Sequence, residues 1–184
     1  MAALDENDDV RAIRALIGAH FRGLQWAPGT RADWPAFAAD FVPDAALFPA
    51  ARPVRRQSVD AFMARMNGLV GNKLRSFEET TLGMEILLFG TVAVVLGAAE
   101  MVENGTEVKR DVSGFLLVKN EGKWGIAAHA WDHETQAMPV PEHLRHASVR
   151  WLRESARVYR LEPRNVSRRQ RPHRLGFDRL VEMG

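Results

Sequence analysis

Apolar positions near the start of the chain recur at helical spacing. Val10, Ile13, Ile17, His20, Phe21 and Leu24 fall at steps of three and four residues, on one face of a long amphipathic helix. Asp5, Asp8 and Asp9 suit the positive N-terminal end of that helix. After the breaker Ala27-Pro28-Gly29, the run Trp34, Phe37, Ala38 and Phe41 predicts a second, shorter helix that stops at Pro43. Ala45 to Phe48 reads as a short strand. Ser58 then caps a third helix with the face Val59, Phe62, Met63, Met66 and Val70, and Gly71 stands where helices commonly end. Beyond Phe77 the period changes: residues 77–89, 91–103, 106–119 and 123–135 are strand-like runs separated by Gly90, Asn104-Gly105 and Glu121-Gly122. Strands of a dozen residues extend roughly 40 Å, too long to stay flat, so Gly83, Gly97 and Gly114 are predicted kinks or bulges in a strongly curved antiparallel sheet. Val92, Val94 and Leu96 alternate with Ala93 and Val95, so both faces of the middle strands are apolar. Helices would cover one face and a second copy of the chain the other, which predicts a homodimer through the outer sheet face.

Length and charge refine this picture. At 184 residues the chain fits one domain with an appendage, and at that size roughly 70% of the unfolded surface can be buried. The net charge is only +2, but it is unevenly spread. From Arg145 onward eleven arginines face only Glu154, Glu162, Asp178 and Glu182. That asymmetry marks a boundary near Pro141 and predicts a core domain over 1–141 with a basic extension over 142–184. Leu144, Ser148, Trp151, Leu152, Ser155 and Tyr159 suggest a helix at the start of the extension, and the stretch beyond Pro163 is expected to be disordered. The clustered arginines would also suit phosphates, yet no nucleic-acid reading motif accompanies them, so a nucleic-acid partner is not expected. The longest apolar stretch, Ile86 to Ala99, is shorter than the roughly 20 residues of a membrane span and contains Gly90 and Gly97, so no membrane association is expected. The acidic start lacks the pattern of a secretory signal, and there is no cysteine; the expected compartment is the cytoplasm.

The order helix, short helix, strand, helix and then long hairpinned strands resembles the nuclear transport factor 2-like superfamily, which includes ketosteroid isomerase, scytalone dehydratase and SnoaL-like cyclases. The segment Phe41-Val42-Pro43-Asp44-Ala45-Ala46-Leu47-Phe48-Pro49 resembles its helix exit and first strand, and Ser58 to Met66 its next helix. Lys123-Trp124-Gly125-Ile126-Ala127-Ala128-His129-Ala130-Trp131-Asp132-His133-Glu134, continuing to Pro141, is similar to the closing strand of SnoaL-like proteins. The resemblance covers residues 8–142 and implies an α+β fold, a cone-shaped barrel of three N-terminal helices packed on the curved sheet. Function does not transfer with it, because this fold hosts many activities. Where the isomerase has its basic carboxylate, before the proline of the first strand, this chain has Phe48. The isomerase's oxyanion-hole tyrosine has no counterpart on the first helix, and the position of its strand acid falls around Gly114. Trp131 resembles an aromatic wall of the isomerase pocket.

Residue chemistry then nominates a site. On a regular strand His129, Trp131 and His133 share one face and Trp124, Ile126 and Ala128 the other; a bulge would mix the two sets. His129 is the first acid–base candidate, since an imidazole titrates near neutrality; the competing reading is a histidine satisfied by a neighbouring hydroxyl or carboxylate within the sheet. Glu100 and Arg110 flank the Asn104-Gly105 turn, either as an ordinary cross-strand pair or as a carboxylate tuned for proton transfer. His20, Trp26, Trp34, Phe48, Met63, Met66 and Trp131 would line a pocket for a small apolar molecule, or simply fill the interior. His129 and His133 stand roughly 13 Å apart on a strand, too far to share a metal. With no phosphate loop, dinucleotide fingerprint or acidic metal loop, neither a cofactor nor a metal is predicted. Two functional readings follow: a SnoaL-like binder of a small apolar molecule with hydrolase, cyclase or dehydratase chemistry at His129 and one carboxylate, or a non-catalytic dimerisation or protein-binding module.

Overall fold

A computed structural model describes residues 7–145. The expected basic helix beyond Arg145 and the arginine-rich stretch after it lie outside the described residues. Within them the chain is α+β, with helices α1 (Asp8–Gly23), α2 (Trp34–Ala39), α3 (Val59–Asn67) and α4 (Glu142–Arg145) and strands β1 (Phe41–Phe48), β2 (Phe77–Phe89), β3 (Val92–Glu103), β4 (Glu107–Asn120) and β5 (Lys123–His133). No helix among the described residues is long and apolar enough to cross a membrane.

Local chemistry accounts for the element ends. The Asn7 side chain accepts a hydrogen bond from the Asp9 amide, Asp33 from Ala36 and Ser58 from Ala61, so each of the first three helices begins on a capping side chain. The hairpin between β3 and β4 turns on Asn104 and Gly105, and that between β4 and β5 on Glu121 and Gly122. All four residues have positive φ, the conformation that matches the twist of paired strands.

The sheet order is β1-β5-β4-β3-β2. The last four strands form the expected antiparallel hairpins, but the sheet is mixed and not purely antiparallel, because β1 pairs with β5 in parallel, Leu47 opposite His129 and Phe48 opposite Ala130. The physical reason is connectivity. α3 follows β1 and carries the chain to β2 at the far edge, leaving β1 to fill the edge beside β5. Gly125 permits the close approach: a Cβ there would stand 2.8 Å from Val42 Cγ1.

Two bulges decide which side chains face inward. The β2–β3 register shifts between Thr81 and Gly83. Phe77 and Glu79 are therefore buried before it and Met84 and Ile86 after it. The second lies in β5, where Leu116 pairs with Ala128 but Leu117 with Ile126, leaving Ala127 extra. Trp124 and Ile126 thus share a face with His129 and Trp131, the mixing that a regular strand forbids. At Gly97 and Gly114 the register runs on without a shift. α1 packs its Ile13, Ile17 and Phe21 face on the sheet, where they join Val95, Phe115 and Leu117 in one core cluster. A second cluster, with Phe37, Leu47, Phe62 and Met66, joins α2, α3 and β1.

Candidate functional site

Between the helices and the inner face of the sheet lies a cavity of about 610 Å³, within the size range of small-molecule sites. Its walls are largely apolar, with Phe37, Phe62, Met66, Leu74, Met101 and Trp131 among the lining residues. Its polar groups come from neighbouring inward positions. Asp111 and Ser113 are consecutive inward residues of β4, and His129 and His133 stand beside them on β5. Glu79 enters from β2, with Met101 of β3 as its cross-strand partner.

Ser113 and His129 meet diagonally across the two strands, His129 Nε2 lying 2.9 Å from Ser113 Oγ. His129 is enclosed by rings: Phe115 stacks at 4.2 Å between centroids, Trp131 lies at 4.8 Å and His20 at 5.5 Å. Burial holds its basicity well below that of an ordinary imidazole, with the nearby His20 adding to the effect. His20, wholly buried on α1, also has a depressed pKa from burial, partly offset by Asp40, whose Oδ2 lies 3.3 Å from His20 Nδ1. Both imidazoles are therefore neutral at neutral pH.

The carboxyls shift the other way. Burial raises Asp111 to about 7. Glu79 is pushed well above the usual carboxylate range, by burial first and by the charge of Asp111 across β3 second. Both shifts favour the protonated carboxyl, and at neutral pH Asp111 stands near half-titration and can both take and give a proton.

Four buried side-chain polar atoms among the described residues have no hydrogen-bond partner in the protein: His20 Nε2, Gln57 Oε1, Asp111 Oδ1 and His129 Nδ1. Three of the four belong to residues that line this cavity. A buried polar group without a partner costs about 1–3 kcal/mol. Gln57, Asp111 and His129 thus bring unsatisfied polar groups to the wall of one largely apolar space. Among the described residues no group of His, Asp or Glu is placed to hold a metal ion.

The residues nominated from sequence divide. His129, Met66 and Trp131 line the cavity, and His20 stands directly behind His129. Trp26 is buried beneath the site, stacked on Phe77 with its indole nitrogen donating to the Leu74 carbonyl. Trp34 donates to Asn67 near the surface. Met63 packs in the second core cluster, and Phe48 lies at the β1 edge; neither is among the lining residues. Glu100 is on the opposite face of β3, where Arg110 holds Glu100 Oε2 through Nε at 2.9 Å and a terminal nitrogen at 2.7 Å. Sequence reasoning missed Glu79, Asp111 and Ser113. The signal for β4 was present, since Asp111, Ser113, Phe115 and Leu117 alternate with the same parity and end in a plainly apolar pair. Gly114, around which the resemblance put the isomerase's strand acid, has the outward parity and stands three residues beyond Asp111.

The chain matches no protein-family profile and no curated protein. Solved structures match along most of its length. An NTF2-like protein of unknown function from Methylobacillus flagellatus is 21% identical over 73% of this chain and 99% of its own, with a TM-score of 0.53. A provisionally named scytalone dehydratase from Novosphingobium aromaticivorans is 16% identical over 76% and 93%, with a TM-score of 0.57. A hexachlorocyclohexane dehydrochlorinase, LinA-type3, from Novosphingobium barchaimii is 12% identical over 69% and 87%, also at 0.57. The protein has the NTF2-like fold, as its sequence resemblance implied.

Proposed function

We propose that this protein binds a small, largely apolar molecule in the cavity, between helices and sheet arranged as the walls of a cone, and moves a proton on it. The observation that carries this reading is that Gln57, Asp111 and His129, each with a buried polar atom left unpartnered, line one largely apolar cavity. Asp111 acts as the acid–base group, because its pKa of about 7 lets it shuttle a proton at neutral pH. Glu79 donates a hydrogen bond to an oxygen of the bound molecule, and the Ser113–His129 pair fixes that oxygen's position. Dehydration and dehydrochlorination, named for two of the similar structures, each remove a proton beside a leaving group, which is chemistry this cluster suits.

The binding half is tested with phenylnaphthylamine, a neutral dye that fluoresces in apolar pockets; saturable one-site binding is expected, and its absence removes the reading. The acid–base half is tested with nitrobenzisoxazole, whose ring opens when a base takes one carbon-bound proton and the N–O bond breaks. Turnover should rise through a pH near 7 and fall about a hundred-fold or more in Asp111→Asn, the usual scale for loss of a general base. Equal turnover in the variant would leave a binder without proton transfer.

A second reading is favoured by the other face of the sheet. Leu87, Val94, Leu96 and Leu116 are 40–48% exposed, and Phe89 at the strand end is 73% exposed. Leu87, Val94 and Leu116 sit side by side across β2, β3 and β4. So continuous an apolar strip supports pairing with a second copy of this chain.

A further inference from the structure

The cavity is polar at two ends of opposite character. Its floor holds the buried Asp111, Ser113 and His129. At the solvent side it is lined by the exposed arginines Arg52 and Arg55, from the loop after β1, and Arg65, from α3. These three are not equivalent. Arg52 is committed: it donates to the carbonyls of Pro49, Ala50 and Ala51 and pairs with Asp132 at 3.1 Å. The side chains of Arg55 and Arg65 make no hydrogen bond or ion pair with any described residue. Of the carboxylates that line the same cavity, Glu103 is held by Lys109 at 2.7 Å, and Glu79 and Asp111 are buried. Arg65 is also fixed in place, its guanidinium 5.1 Å from the centre of the Phe62 ring that forms part of the cavity wall.

Two cations from separate elements thus stand at the rim of one apolar cavity without a counter-charge among the described residues. We propose that the ligand of this cavity carries an anionic group, a carboxylate, sulfonate or phosphate, which Arg55 and Arg65 bind at the rim while its apolar body reaches Met101 and Trp131. The inference rests on the cavity being a binding site and adds the charge class of its occupant. Guanidinium groups suit such oxyanions because they present paired donors in one plane. A charge at the rim, where water is partly excluded, discriminates between ligands more than one in open solvent.

The test compares phenylnaphthylamine with its sulfonated counterpart, anilinonaphthalene sulfonate, by fluorescence titration of the full chain. Excess phenylnaphthylamine should displace the sulfonate, which places both in one cavity. In the double variant Arg55→Gln with Arg65→Gln, sulfonate affinity should fall roughly ten-fold, the scale of one or two charge-assisted contacts, while the neutral dye binds as before. Arg65→Lys, which keeps the charge, should recover part of the loss, and an unchanged melting temperature shows that the fold is intact. An unchanged sulfonate affinity in the double variant, or failure of the neutral dye to displace it, overturns the inference. If the neutral dye binds normally in that case, the cavity reading survives alone. If neither dye binds the parent protein, both fall.

Discussion

Asp111 shows how much one position can hold. Its side chain is almost wholly enclosed, one oxygen has no partner, and burial lifts its pKa to about 7. A carboxyl that holds its proton more tightly in the fold than in the unfolded chain favours the fold at acid pH, and that contribution disappears as pH rises through about 7. Asp111→Asn should therefore match the parent at about pH 3, where the carboxyl is protonated folded and unfolded alike, and be more stable at pH 8, by on the order of 1–4 kcal/mol in urea unfolding. An equal difference at both pH values would mean that Asp111 titrates as an ordinary surface carboxylate. His20 and His129 act in the opposite sense: kept neutral by burial, they withdraw stability as pH falls below the ordinary imidazole range. His129 was legible from sequence as a residue of neutral-pH chemistry, yet its enclosure among Phe115, Trp131 and His20 makes it a weak base. In the proposed reaction that role passes to Asp111, one residue from the arginine that the sequence singled out.

Among the elements, glycines and bulges set what the strands present. Gly83 follows the β2 register shift and lies under α4, where an added Cβ would stand 3.0 Å from the Leu144 carbonyl oxygen and 3.2 Å from its carbon. Backbone on the facing side has little room to yield, so Gly83→Ala should cost roughly 1–3 kcal/mol of stability. Faster hydrogen exchange at Leu144 should accompany it, because that residue packs with Ala98 and Val140. Unaltered exchange there would show that α4 yields without loss. The expectation of a kink at Gly83 could be read from the sequence because glycine interrupts an apolar run. The Ala127 bulge carried no such mark. An alanine in a strand looks the same paired or extra, and only the competing demands of Ile126 and His129 for the inner face place it.

Across the whole molecule the sheet separates two surfaces: the cavity face with its buried acids and an outer face with the exposed strip around Val94 and Leu96. If that strip joins two copies, Leu96→Glu should convert a dimer to a monomer in sedimentation equilibrium while leaving dye binding in the cavity intact, since burying an unpaired charge is costly. A monomeric parent protein would end the dimer reading without touching the cavity. The same outer face receives α4, so the first residues past Pro141 pack against the sheet, Leu144 being fully buried.

From its residues alone the chain determined the class and order of its elements, the hairpin turns and most of the apolar face of the first three helices, although Phe41, expected on the second, opens β1, and Val70 lies past the end of the third. Those depend on spacing and turn chemistry within a dozen neighbours. Tertiary structure decided which parity of each strand faces inward, that β1 lies parallel to β5, and that Glu79, Asp111, Ser113 and His129 share one cavity. An alternating pattern marks two faces without saying which is inner, and one unmarked bulge exchanges them. Environments that shift a carboxyl to neutrality are assembled only when distant strands close around it.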